Sequence, residues 1–208
     1  LLLWLLWTAG AGRYLSLLLW VAFLWWLWAL FWLARPGTIQ GPALSATVFK
    51  MFAGVLVLLP TWAALVNLRA GEQNGPVLVL MMLVLVWLAD SGAYFAGRQW
   101  GRNKLAPAIS PGKTREGVYG GLLAAVAFAA IAGGFYSVSV NWTLAFMLVS
   151  LITVMFSVVG DLLESLMKRQ CGVKDSGNII PGHGGILDRI DSLTAASPMF
   201  LLGMRWLG

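Results

Sequence analysis

The sequence predicts an all-α, polytopic integral membrane protein with about six to seven transmembrane helices, and two observations predict it. First, 60% of the 208 residues are hydrophobic and only 11% are charged, a surface that water cannot solvate. Second, the apolar stretches run for about 20 residues, the length a helix needs to cross a hydrocarbon core of about 30 Å. They lack the period-2 alternation of barrel strands, so only helices satisfy their backbone in lipid.

Taken in order, residues 1–12 read as the tail of a cut span. The chain begins at Leu1 inside an apolar run, with no initiator Met and no basic n-region, which predicts an N-terminal truncation rather than a signal peptide. Residues 14–34 form the first complete span, preceded by Arg13 and closed by Arg35-Pro36-Gly37. Further spans are expected at about 47–67, 77–97, 118–135 and 143–163, with a short last one at 192–207. The chain divides into N-terminal transmembrane helices, 1–75, and a catalytic transmembrane region, 76–208, with loops at 98–117 and 164–192. Seven of the 12 tryptophans fall by residue 32, which reads as packing and interface anchoring. Gly120-Gly121 and Gly133-Gly134 read as close packing contacts or helix ends.

The 22 charged residues are concentrated: 15 lie within 98–116 and 161–191. The first window carries five basic residues against one acidic, and the uncharged turn at 136–142 separates it from the second by two spans. The positive-inside rule therefore places both windows in the cytoplasm, and Arg69 to Gly75 and the C-terminus outside. The net charge of +6 fits basic cytoplasmic loops, not nucleic-acid binding. Cys171 is the only cysteine, which excludes an intrachain disulfide and a cysteine-based zinc site.

In the first window Asp90 lies two turns inside the span boundary, where a carboxylate costs several kcal/mol unless it is paired, protonated or facing a wet cavity. Tyr94, at i+4, shares its face. The loop that follows holds Lys104, Ser110, Lys113 and Thr114 among prolines and glycines, the composition a polyphosphate site requires. Ser110-Pro-Gly-Lys113-Thr114 is not a Walker A loop, because the first glycine and a preceding strand are missing.

In the second window Asp161, Ser165 and Lys168 are spaced i, i+4, i+7, one polar stripe on an apolar helix, followed by Arg169. Asp188 and Asp191, at i, i+3, share a face of the helix opening the last span. Three acids with neutral oxygens and no soft ligands suit a hard cation such as Mg²⁺, bound through one or two carboxylates plus substrate phosphate oxygens. Lys174 and Arg189, interleaved with them, would neutralise the remaining phosphate charge. The Gly182-His183-Gly184-Gly185 run suits close approach of backbone to a ligand. His183 reads as a phosphate or base contact, or as a hydrogen bond ordering the loop.

Ser165-x-x-Lys168-Arg169, Lys174-Asp175-Ser176-Gly177 and Pro181-Gly-His183-Gly-Gly-Ile-Leu-Asp188-Arg189-Ile-Asp191 together resemble the signature of the phosphatidate cytidylyltransferases (CDP-diacylglycerol synthases). With Trp87 to Gly117 included, the resemblance covers roughly 87–197. It implies transfer of the cytidylyl group of CTP to phosphatidate, giving CDP-diacylglycerol and pyrophosphate, at the cytoplasmic face of a bacterial inner membrane. It also implies Mg²⁺, a homodimer, and metal or nucleotide-phosphate roles for Asp161, Asp188 and Asp191 with Ser165 and Lys168 close by; a second, monovalent cation is left open. Two other readings stay open. One is a CTP-dependent kinase of a polyprenol or other lipid alcohol, which would release CDP. The other is a cation-coupled transporter using Asp90 and Asp161, which would need acids near the midplane of several spans.

Overall fold

The computed structural model describes residues 12–34, 43–71, 74–135, 139–179 and 184–207. The expected tail of a cut span lies outside them except for Gly12, as do Trp4 and Trp7. Six helices and one small hairpin make up the described fold: α1 (Gly12–Ala34), α2 (Ala43–Ala70), α3 (Gly75–Trp100), β1 (Lys104–Ala106), β2 (Ser110–Thr114), α4 (Arg115–Phe135), α5 (Val140–Gln170) and α6 (Leu187–Leu207). Five of them, α1 to α5, are long and apolar enough to cross a membrane. The protein is an all-α polytopic membrane protein.

The helix ends follow from local chemistry. Pro76 stands in the first turn of α3, where no N–H is needed. Ser139 caps α5, its hydroxyl accepting from the Trp142 N–H at 3.3 Å. Thr114 does the same for α4, accepting from the Gly117 N–H at 3.1 Å. Helix α5 runs past the expected end at 163 to Gln170, with Lys168 and Arg169 in a last turn whose dipole favours cations.

The last helix differs most from its expected role as a short terminal span. Its middle, Thr194 to Leu201, is buried among the other helices, with α5 its most extensive partner and α2 the next. Pro198 lacks an N–H and so leaves the Thr194 carbonyl without its helical donor. The Thr61 hydroxyl of α2 lies 2.8 Å from that oxygen and 2.6 Å from the Val57 carbonyl of its own helix, so its single proton is shared between the two. An unsatisfied carbonyl in hydrocarbon costs several kcal/mol, so this contact also fixes α2 against α6.

The core is two adjoining clusters. One joins Leu19, Leu68, Met82, Leu85, Phe146 and Phe200; the other joins Trp26, Trp32, Phe156, Leu163 and Met199. The tryptophans of α1 divide accordingly, with Trp26 and Trp32 buried and Trp20 and Trp28 exposed on the outer face with Leu24 and Phe31. That outer face suits lipid.

Helices α3 and α4 cross on glycine. A Cβ on Gly92 would sit 2.9 Å from the Gly120 carbonyl oxygen, and one on Gly120 would collide with the Ala96 side chain. Gly133 likewise faces the Thr143 side chain, so these glycines are packing contacts; Gly134 has open space around it. Gly120→Val is therefore expected to lower stability by about 1–3 kcal/mol. Thermal unfolding in detergent checks this, and melting like the wild type would contradict the close crossing.

Candidate active site

The segment between α3 and α4, expected as an irregular loop, is an antiparallel hairpin pairing Lys104 with Thr114 and Ala106 with Ser110. Three contacts hold it. Ile109, at its turn, is buried beside Leu162 and Leu166 of α5 in the second core cluster. The Arg115 N–H donates to the Asn103 carbonyl at 2.9 Å. The Glu116 carboxylate accepts from the Arg102 and Asn103 N–H groups at 3.2 Å and from Asn103 Nδ2 at 2.7 Å.

This hairpin presents Lys113 to α5, where its ammonium forms an ion pair with Asp161. Around the pair lies a cavity of about 400 Å³, lined from α3 by Asp90, Tyr94, Gly97 and Arg98, and from the hairpin and α4 by Gly112, Thr114 and Gly117. Asp90 thus meets the third of the conditions set for it, facing a cavity. It interacts electrostatically with Asp161, Lys113 and Asp191. The Tyr94 hydroxyl accepts from the Arg98 guanidinium at 3.1 Å. Five of the residues singled out in the sequence therefore share one cavity: Asp90, Tyr94, Lys113, Thr114 and Asp161.

A second charged group, centred on Lys168, lies about two turns further along α5. Lys168 donates to Asp188 Oδ1 at 2.6 Å and to Glu164 Oε2 at 3.3 Å. Asp188 Oδ2 accepts from the Ser176 N–H and hydroxyl, both at 2.8 Å, and from the Gly185 N–H at 2.7 Å. Burial pushes the Asp188 carboxyl up, but Lys168 and these donors outweigh it and hold it well below the usual carboxylate range. The loop is tied to the start of α6 by one side chain. Gly184 belongs to that tie: its φ is +80°, and a Cβ there would sit 2.6 Å from Asp188 Oδ2.

Asp191 connects the two groups. Its carboxyl lies beside that of Glu164 and interacts electrostatically with Asp161. The Ser165 hydroxyl donates to Asp161 Oδ1 at 3.4 Å, so the stripe read from the sequence is a contact. The three acids do not meet at one point, since no group of three or more metal-ligating side chains is assembled among the described residues.

Other residues sit elsewhere. The Arg169 guanidinium reaches the Ile109 and Val173 carbonyls at 3.5 and 3.4 Å, bracing the hairpin against α5 and the following loop. Lys104, Lys174 and Arg189 are exposed, Ser110 is half-buried in the hairpin, and none of the four borders the cavity. His183 lies outside the described residues. Sequence reasoning missed Glu164, Ser176 and the Asn103–Glu116 latch. Glu164 carried a signal: it stands four residues before Lys168, the spacing of an ion pair on one helix face.

These features define a helical membrane protein that gathers basic and acidic side chains from a hairpin, α3, α5 and α6 at one end of its bundle. The Cytidylyltransferase family model matches residues 1–207, and the chain belongs to that family. It is 49% identical over 152 residues to a phosphatidate cytidylyltransferase of Pseudomonas aeruginosa, covering 73% of this chain and 55% of that protein. To the Haemophilus influenzae protein of the same name it is 45% identical over 223 residues, covering 95% and 74%. To that of Bacillus subtilis it is 43% identical over 144 residues, covering 67% and 52%. The matched region thus spans about half to three quarters of these relatives' own lengths.

The two lysines should differ in their weight on stability. Lys168→Met leaves Asp188, whose side chain is 7% exposed, and Glu164 without their cation, and should cost about 3–5 kcal/mol. Lys113→Met breaks a pair open to the cavity and should cost about 1 kcal/mol or less. Denaturant unfolding in mixed micelles ranks the two, and the reverse order would contradict the description.

Proposed function

We propose that this protein transfers the cytidylyl group of CTP to phosphatidate, forming CDP-diacylglycerol and pyrophosphate. We place it in a bacterial inner membrane as a homodimer, with the hairpin and the loop between α5 and α6 on the cytoplasmic side. The observation that carries the reading is the lysine–aspartate pair inside the large cavity, where a polyanion meets both a fixed cation and acids able to recruit more. Family membership and the names of the relatives supply the nucleotide and the lipid.

The phosphate of phosphatidate is already anionic near neutral pH, so its oxygen attacks the α-phosphorus directly and no general base is required. The new bond is that oxygen to the α-phosphorus; the α–β bridging bond breaks and pyrophosphate leaves with its electron pair. Catalysis is then positioning and charge neutralisation. Lys113 meets the nucleotide phosphates from the hairpin, Arg98 adds charge at the α3 edge of the cavity, and Lys168, outside the cavity lining, holds Asp188 in place. Asp90 and Tyr94 shape the wall against the lipid.

The donor set fits Mg²⁺ by its chemistry. Every donor is an oxygen, and Asp161 and Asp188 each hold a lysine ammonium as counter-cation. Two carboxylates completed by substrate phosphate oxygens are an ordinary Mg²⁺ site. Asp161 and Asp188 would hold the ion with Asp191 beside Asp161, and a second, monovalent cation would share these acids. When bound, the metal neutralises charge on the phosphates.

Reconstituted protein should release pyrophosphate, not CDP, when given CTP and phosphatidate, and chelation of divalent cations should stop it. Asp188→Ala, recovered folded, should lose about a hundredfold or more in turnover. CDP as the product would favour a lipid kinase, and near-normal turnover of Asp188→Ala would remove the metal assignment.

A further inference from the structure

The lysine-bearing cavity holds one polar group that its own contacts leave unused. Of the acceptors that line it, Asp161 is engaged by Lys113 and by the Ser165 hydroxyl, and the Thr114 hydroxyl caps α4. Asp90 faces the same space and, among the described residues, makes no hydrogen bond or ion pair of its own; it meets Lys113, Asp161 and Asp191 only through longer-range electrostatics. A carboxylate can only accept, so what Asp90 lacks is a donor.

The chemistry of the two substrates says which of them supplies it. The glycerol and acyl oxygens of phosphatidate are all esterified and donate nothing, and its phosphate carries the same sign of charge as Asp90. A nucleoside carries donors in its ribose hydroxyls and, for cytosine, in the exocyclic amine at C4. The surroundings favour the base: Ala93, Val118 and Val158 line the cavity with Asp90, an apolar wall suited to a flat ring rather than to a hydrated sugar. The row on α3 favours it too. Asp90 and Tyr94 stand one turn apart, with Cβ atoms about 5–6 Å from each other. Tyr94 accepts from Arg98 at 3.1 Å and keeps its own hydroxyl proton to donate. Acceptor then donor along the row matches the edge of cytosine, whose C4 amine donates and whose N3 and O2 accept. Uracil in the same place would turn its O4 toward a carboxylate, acceptor against acceptor. The cavity, about 400 Å³, is of the size that takes a small-molecule ligand.

We propose that the wall Asp90 and Tyr94 form against the lipid is also the base-recognition site, with the Asp90 carboxylate accepting from the cytosine C4 amine and so selecting CTP over UTP. The inference rests on the cytidylyltransfer reading above. It makes Asp90 a specificity-determining residue and gives it no part in the attack at the α-phosphorus.

The test measures kcat/KM for lipid product in reconstituted protein with CTP, UTP, dCTP and the CTP analogue that carries hydrogen in place of the C4 amine. Wild-type protein should prefer CTP to UTP by about a hundredfold or more and to the amine-free analogue by about tenfold or more, with dCTP within about threefold of CTP. Asp90→Asn should narrow the CTP-to-UTP ratio to below about tenfold, because its amide oxygen still accepts from the amine while its NH2 donates to uracil O4. A merely structural role would lower both nucleotides together, so an unchanged ratio in Asp90→Asn overturns the proposal. The wild-type series depends on no variant folding. Equal use of CTP and UTP, or of CTP and the amine-free analogue, overturns it, and a loss confined to dCTP would move the carboxylate to the ribose and overturn it as well. If the wild type forms no CTP-dependent lipid product, the cytidylyltransfer reading fails instead.

Discussion

Charge inside a membrane bundle must be paired or wet, and most of the described site is arranged around that constraint. The protein keeps few charges, and those it places at membrane depth meet across long sequence separations. Lys113 reaches Asp161 and Lys168 reaches Asp188, while Lys168 and Glu164 pair one turn apart within α5. Each pairing fixes an element that propensity alone would leave loose. The first seats the hairpin on α5, and the second seats the α5–α6 loop on the start of α6. The two pairs also differ in kind. The Lys168 group is closed over by Ser176 and Gly185, whereas the Lys113 pair stands open to a cavity where an incoming phosphate can compete for the ammonium.

The hairpin couples the water-soluble side of the chemistry to the lipid-spanning side. Its turn is anchored in the apolar core through Ile109, its base is latched by Asn103 and Glu116, and its last residue caps α4. Arg169 adds a brace from α5. A basic loop that merely obeyed the positive-inside rule would require none of these contacts. The glycine crossing of α3 and α4 brings the two ends of the hairpin together, so close packing deep in the bundle contributes to the placement of Lys113 at its end.

The spans were legible because lipid imposes length and hydrophobicity residue by residue, and 14–34, 47–67 and 77–97 fall within the observed helices. The stripe of Asp161, Ser165 and Lys168 was legible from helical spacing. The hairpin was not, because its strands are short and carry Pro111 and Gly112, and its pairing depends on Asn103 and Arg115 meeting across the turn. The central position of α6 was hidden by its own charges and by Pro198, which frees the Thr194 carbonyl to face the Thr61 hydroxyl, 133 residues away in sequence. Glu164 was overlooked because the sequence could not show that its neighbour would be Asp191 of another helix.

The central claim is that the two charged windows form one working site through Lys113 and Asp161. A double-mutant cycle on kcat/KM for CTP, using Lys113→Met, Asp161→Asn and the pair together in reconstituted protein, tests it most directly. If the two side chains act as a unit, the double variant is little worse than the poorer single variant, with a coupling of about 1 kcal/mol or more. Losses that simply multiply would contradict the account.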